Sequence, residues 1–379
     1  MPMPVLRVLQ IDPSLFTAPY DAALSAGLVA ARVVPNWATR GIRPGEEDLL
    51  ADHAVHPIFY PLSDGANRHT GMPWRALKGV EHCIGLRRLA QLVARERFDV
   101  VHLQWAPLPR LDRRMIERVR AHAPVVMTVH DMVPFNGRPV SCLQRDGYEQ
   151  VLAAADRLIV HTDAGRAALL ARGHAADRID VVPHGLLPLP AGPAAPRPAD
   201  GRWRVVLFGR LQPYKGPDLL VEALGLIDPS VRERLDVIVA GEPQMPIAPI
   251  HDRAAALGLG AAFTLRDRWL SESEMTGLLR SADAFVFPYR AIDASGVLHL
   301  VAGLDRWLIA SDLGAFRQMI GADTGMLVPP DDAAALARAI TGSIGRRPGA
   351  RPNTGVPDWA EIGARTRAVY ERAMKAHRP

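Results

Sequence analysis

The chain has 379 residues, 48% hydrophobic and 22% charged, which is too long for one ordinary domain and supplies apolar material for two cores. Its formal net charge is +5, but lysine occurs only at Lys78, Lys215 and Lys375 and the arginines are scattered, a pattern that argues against a nucleic-acid-binding protein. The two cysteines, Cys83 and Cys142, exclude a disulfide framework, and with neither a secretory leader nor an 18-residue apolar span the expected location is the cytoplasm.

Strand-like apolar runs alternate with helical stretches. The first series is LRVLQID (6–12), VVHLQW (100–105), PVVMTVHD (124–131), RLIVHT (157–162) and IDVVPHG (179–185). Residues 74–120 carry two helical stretches enriched in arginine, which suit either a solvated helix face or a surface for acidic lipid headgroups. Next comes LLPLPAGPAAPRPADG (186–201), whose proline and glycine content suits a linker. The second series is WRVVLFG (203–209), LDVIVAG (235–241), AAFTLRD (261–267), DAFVFPY (283–289), WLIASD (307–312) and GMLVPP (325–330). Continuous apolar strands separated by helices imply parallel sheets covered on both faces. The expected fold class is therefore α/β, with Rossmann-like domains at 1–190 and 191–357. In the tail, Trp359, Ile362, Val369, Tyr370 and Ala373 share one helical face, so a helix within 358–379 should dock on something.

In such folds ligands sit at the carboxyl ends of strands. Arg210 and Lys215 occupy one such loop, where a planar fork of donors beside a compact point charge suits two successive phosphates; solvated turn residues are the alternative. A second loop places Asp293, Ser295, Gly296 and Val297 before an apolar helix, whose first N–H groups favour an anion. Ser295 alone reads equally as a helix cap. No Asp-x-Asp pair occurs, so Arg210, Lys215 and the amides of 295–297 are the groups available to neutralise a departing diphosphate.

FGRLQPYKGPDLLVEAL, ADAFVFPYR, SGVLHL and LIASDLGAF, together with TVHDMVPFNG, ADRLIVHTDAGRAALLARG and RIDVVPHG, resemble the retaining glycosyltransferases of family 4. DPSLFTAPYD is similar to the N-terminal loop of a bacterial polysaccharide branch. The resemblance implies a GT-B architecture: an acceptor-binding domain and a donor-binding domain facing across a cleft, with the C-terminal helix crossing back to the first. It implies transfer of a hexose from a UDP- or GDP-linked sugar to a lipid-linked or oligosaccharide acceptor in exopolysaccharide, capsule or lipopolysaccharide synthesis. No cofactor or metal is implied. His130, Arg210, Lys215 and Asp293 take the catalytic places, and Gly209, Arg266, Arg268, Ser295, Gly296 and Val297 hold the donor. Thr17, Tyr20, Asp21 and Phe135 face the acceptor. His130 would contact the donor sugar, whereas His102, His161 and His184 read as structural. An acceptor of this kind implies a peripheral place on the inner face of the cytoplasmic membrane. One departure stands out: Asp293 occupies the first of two positions where the family carries glutamate, and Leu300 or Val301 the second. A catalytically weak nucleotide-sugar-binding regulatory subunit is the alternative that this departure supports.

Overall fold

The computed structural model describes every residue except 1–3, 44–45, 65–70, 133–141, 198, 292–294, 350–355 and 378–379. The chain divides into two units, one holding the described residues up to 185 together with 356–377, the other those from 186 to 349. In the first unit, β1 (Leu6–Ile11), β2 (Val33–Arg40), β3 (Ala54–Phe59), β4 (Val100–Leu103), β5 (Val125–Thr128), β6 (Arg157–Val160) and β7 (Ile179–Val181) form one sheet in the order β3-β2-β1-β4-β5-β6-β7. Every neighbouring pair is parallel, and Val8, Leu9, Val100, Val101, Val125 and Val126 have no exposed surface. These are the continuous apolar strands that a sheet covered on both faces requires.

Five of the seven strands coincide with runs legible in the sequence, and β2 and β3 do not. β2 mixes Pro35, Asn36, Thr39 and Arg40 into its apolar positions, and β3 is a partly exposed edge. Pairing of β2 with β3 begins only at Asn36, so Pro35 sits where its strand has a neighbour on one side and its missing N–H is tolerated.

The second unit repeats the design. β8 (Trp203–Phe208), β9 (Leu235–Ala240), β10 (Phe263–Arg266), β11 (Ala284–Phe287), β12 (Trp307–Ser311) and β13 (Gly325–Val328) are all parallel, in the order β10-β9-β8-β11-β12-β13. Alternate residues feed two cores: Val205, Leu207, Val237, Val286 and Ile309 enter one, and Val206, Ile238, Phe285, Phe287 and Leu308 the other. The proline-rich stretch 186–201 is tied along this unit. Leu187 N–H donates to the His299 carbonyl at 3.1 Å and Ala195 N–H to that of Gly277 at 2.8 Å. The Arg280 guanidinium reaches the Pro190 carbonyl at 3.1 Å, and Arg197 pairs with the buried Asp283.

The C-terminal helix Trp359–Ala376 belongs to the first unit. Asp358 caps it by accepting from Glu361 N–H at 2.8 Å. Ile362, Val369, Tyr370 and Ala373 are fully buried, as the apolar stripe requires, and the helix lies along Ala18–Ala30. The two helices meet at glycines: a Cβ on Gly27 would overlap the Trp359 carbonyl, and one on Gly363 that of Gly27. Arg367, 3% exposed, donates to the carbonyls of Ala31, Arg32 and Pro4 at 2.9, 3.0 and 2.7 Å. The Ala31 carbonyl is one that the end of the partner helix leaves open.

Candidate functional site

In the second unit, β8 is followed by Gly209, whose φ of 112° lies in the left-handed region that glycine adopts without penalty. A Cβ there would stand 2.7 Å from Lys215 Nζ and 3.1 Å from Val297 Cγ2, so the missing side chain lets the lysine and the second loop converge on one spot. Pro213–Lys215 forms a single 3-10 turn, and Gly216 turns the chain at φ 65° into the helix Pro217–Gly225. Lys215 is 6% exposed, its Nζ 5.7 Å from the centre of the Tyr289 ring. Burial, then the neighbouring Arg210, pulls its pKa down to about 7, with no carboxylate among the groups acting on it.

The second loop enters the helix Gly296–Val301. Ser295 is buried and its hydroxyl accepts from Leu298 N–H at 3.2 Å, so Ser295 is the helix cap. The amides of Gly296 and Val297 open the helix, beyond reach of any earlier helical carbonyl. Asp293 lies outside the described residues. Val301 is fully buried and Leu300 packs against the same core, so neither replaces the second glutamate. Arg266 ends β10, where its carbonyl accepts from Gly241 N–H at 3.0 Å. Arg268 is committed to an exposed ion pair with Glu274 at 2.6 Å. Glu274 also completes the capping box of the next helix, Glu272–Ser281.

In the first unit, the strand ends gather a second cluster. The His130 ring stacks on Trp105 with centroids 5.1 Å apart and meets Tyr20 edge-on at 5.0 Å. Its Nε2 lies 3.0 Å from Gln104 Oε1 and its Nδ1 3.4 Å from His161 Nε2. Burial, then His161 and His102, holds His130 well below the ordinary histidine range, so the ring is neutral. Thr17 accepts from the Trp105 indole N–H at 3.2 Å and hydrogen-bonds to Asp12. Tyr20 and Asp21 lie in the interior, 4% and 0% exposed. Asp12 and Asp21 are both raised by burial, Asp21 further by the facing Asp12 carboxylate. Phe135 lies outside the described residues.

No sequence motif marks Gln104, Trp105 and His161 as members of this cluster. Gln104 and Trp105 close the run VVHLQW, where two polar-capable side chains end a strand whose other polar residue is His102, and that ending is the signal the sequence offers. Among the described residues, no group of three His, Cys, Asp or Glu side chains is placed to hold a metal ion.

Two parallel-sheet Rossmann-like domains, one with a cationic loop after its first strand, are the architecture of the GT-B class. Residues 202–344 match the family model described as glycosyl transferases group 1, and residues 22–186 match that of glycosyltransferase family 4. Over 314 residues the chain is 32% identical to a D-inositol 3-phosphate glycosyltransferase of Geodermatophilus obscurus, covering 74% of this chain and 69% of the relative. It is 27% identical over 307 residues to a phosphatidyl-myo-inositol mannosyltransferase of Mycolicibacterium smegmatis, covering 76% and 75%. The Anabaena protein HepE, solved in complex with UDP and glucose, superposes with a TM-score of 0.64 at 17% identity over 97% of this chain and 95% of that one. The chain belongs to glycosyltransferase family 4 and is a glycosyltransferase.

Proposed function

We propose that the protein transfers a hexose, with retention of anomeric configuration, from a UDP- or GDP-linked sugar to a lipid-linked or oligosaccharide acceptor in bacterial surface polysaccharide synthesis. The observation that carries this reading is the pairing of Arg210 with the buried Lys215 at Gly209, with no carboxylate acting on Lys215. Such a site lowers the barrier to losing a nucleoside diphosphate by neutralising charge as it develops. The amides of Gly296 and Val297 add donors, and the reading requires no divalent ion. His130 is assigned to the donor sugar and Asp293 to its reacting side.

The acceptor assignment draws on the relatives, one of which is named for a phosphatidyl-inositol acceptor, and on the helix Met72–Arg95. That helix exposes Met72, Val80 and Ile84 at 77%, 57% and 41%, beside exposed Arg75, Arg87 and Arg88. Exposed apolar and arginine side chains on one helix suit contact with an anionic membrane surface. No described helix is long and apolar enough to cross one.

A thermal-shift screen against UDP, GDP, ADP and their sugars tests the donor, since a ligand at 100 times its Kd stabilises by about 2.7 kcal/mol. Transfer assays with the stabilising sugar then separate acceptors: lipid-linked oligosaccharide, phosphatidylinositol and inositol phosphate. Binding of a nucleotide sugar without transfer to any of them would instead support the regulatory subunit, the reading favoured by the apolar packing of Leu300 and Val301.

A further inference from the structure

Seven side chains of the first unit form one continuous polar chain. Thr128 Oγ1 lies 2.8 Å from His102 Nε2, and His102 Nδ1 lies 2.8 Å from the Tyr370 hydroxyl. Gln10 Nε2 donates to that hydroxyl at 2.8 Å, and Gln104 Nε2 donates to Gln10 Oε1 at 3.0 Å. Gln104 then meets His130, His130 meets His161, and His161 Nδ1 lies 3.0 Å from the Val182 carbonyl.

One member has a fixed role: the Val182 carbonyl can only accept. His161 therefore carries its proton on Nδ1 and, when neutral, turns a bare Nε2 toward His130. With the glutamine amides in this orientation, Gln104 Oε1 calls for the His130 proton on Nε2. That leaves His130 Nδ1 bare as well, so two lone pairs oppose each other across 3.4 Å. Turning both amides over removes the conflict, because the two ends of an amide are near-isosteric and differ only in donor and acceptor role. Thr128 then donates to His102, His102 to Tyr370, Tyr370 to Gln10, Gln10 to Gln104, Gln104 to His130 Nε2, and His130 Nδ1–H to His161. All seven links are filled with every group neutral. Sharing an extra proton between His130 and His161 is the other solution, and burial opposes it by lowering both histidines.

We propose that Gln104 and His161 are positioning residues that together fix His130 as the neutral Nδ1–H tautomer against Trp105, with Tyr370 of the C-terminal helix bridging Gln10 to His102 farther along the chain. The functional consequence rests on His130 contacting the donor sugar; the tautomer does not. The titratable groups facing His130 are His161, His102 and Tyr20.

Full-length protein labelled with 15N-histidine tests this at neutral pH, since long-range 15N–1H correlations separate the Nδ1–H, Nε2–H and doubly protonated forms. The His130 signals are those lost in His130→Asn. The expected wild-type form is Nδ1–H. Gln104→Glu, which can only accept, should carry His130 to the doubly protonated form at the same pH. His161→Phe should move it to Nε2–H. A wild-type Nε2–H form, or an unchanged His130 signature in Gln104→Glu, overturns the proposal; the wild-type tautomer decides it even if His161→Phe fails to fold. In transfer assays Gln104→Glu should raise the donor KM about tenfold with a smaller change in kcat. Normal kinetics with the expected tautomers would instead remove His130 from the sugar site.

Discussion

A lysine ammonium surrendered to a protein interior loses its hydration, and a second cation beside it adds repulsion. Both act on Lys215, which is why its pKa falls to about 7, with burial the larger cause and Arg210 the smaller. A diphosphate reverses the balance by favouring the charged form. Above pH 7 the free protein therefore holds Lys215 neutral, and nucleotide diphosphate binding should take up a proton, about one at pH 8, with affinity falling about tenfold per pH unit beyond 7. Calorimetric titration in two buffers of different ionisation enthalpy measures that uptake, and a value near zero would mean that the lysine is charged before binding. Lys215→Ala should lower turnover roughly 100-fold, the scale on which a preorganised charge-stabilising donor acts, while the thermal transition stays at or above that of the wild type. Near-normal turnover would take Lys215 out of the mechanism. Arg210 and Lys215 were legible in the sequence because a cationic pair set between an apolar strand and a glycine-led helix suits an anion and contributes little to a core. Gln104 and His161 were not legible, since their role depends on which carbonyl and which amide the fold sets against them.

At the scale of single elements, the two helices Ala18–Ala30 and Trp359–Ala376 lie at opposite ends of the chain, yet they pack backbone to backbone through Gly27 and Gly363. No side chain can be inserted there without pushing the helices apart. Gly363→Ala should therefore destabilise the first unit by about 1 to 3 kcal/mol, the usual cost of overpacking, visible as a lower denaturation midpoint; an unchanged midpoint would mean that the helices separate freely. Removing residues 358–379 exposes the surface that Ile362, Val369, Tyr370 and Ala373 cover and should abolish transfer. A truncated protein that stays monodisperse and transfers normally would make the helix an appendage. The apolar stripe announced that this helix docks, but the glycine contact was silent, because a glycine inside a helical pattern does not say what lies against it. The stretch 186–201 shows the same limit: its composition announced an irregular path, while its hydrogen bonds to Gly277 and His299 depend on neighbours far away in sequence.

For the whole molecule the predictions concern what it needs and where it works. With Arg210, Lys215 and two helix-opening amides taking the leaving charge, transfer should survive excess EDTA. Loss on chelation, restored by Mg²⁺ or Mn²⁺, would mean that the diphosphate is held by other means. The exposed arginines and apolar side chains of Met72–Arg95 should bring the protein down with vesicles containing anionic lipid, and raising the salt from 0.1 to 1 M should release much of it as the Debye length falls from about 10 to 3 Å. Arg87→Glu with Arg88→Glu should weaken that sedimentation while leaving nucleotide-induced stabilisation intact. Equal sedimentation of the double variant would place the membrane contact elsewhere.

Local chemistry determined a good deal of this protein by itself: two α/β halves, every described strand except β2 and β3, the docking face of the last helix and the cationic loop at Gly209 to Gly216. Each is written in neighbouring residues, through apolar run length, helical spacing or turn-forming glycine and proline. Only the tertiary structure decided the rest. β2 exists because β1 offers it a ladder, and β3 because β2 does, not because their own sequence alternates. Tyr20 and Asp21, expected at the acceptor, lie inside the first unit, since the first turn of a helix can point inward or outward according to what packs on it. The hydrogen-bonded chain from Thr128 to Val182 joins residues from five strands or strand ends and the C-terminal helix, so its proton order is a property of the assembled sheet, which no single stretch of sequence contains.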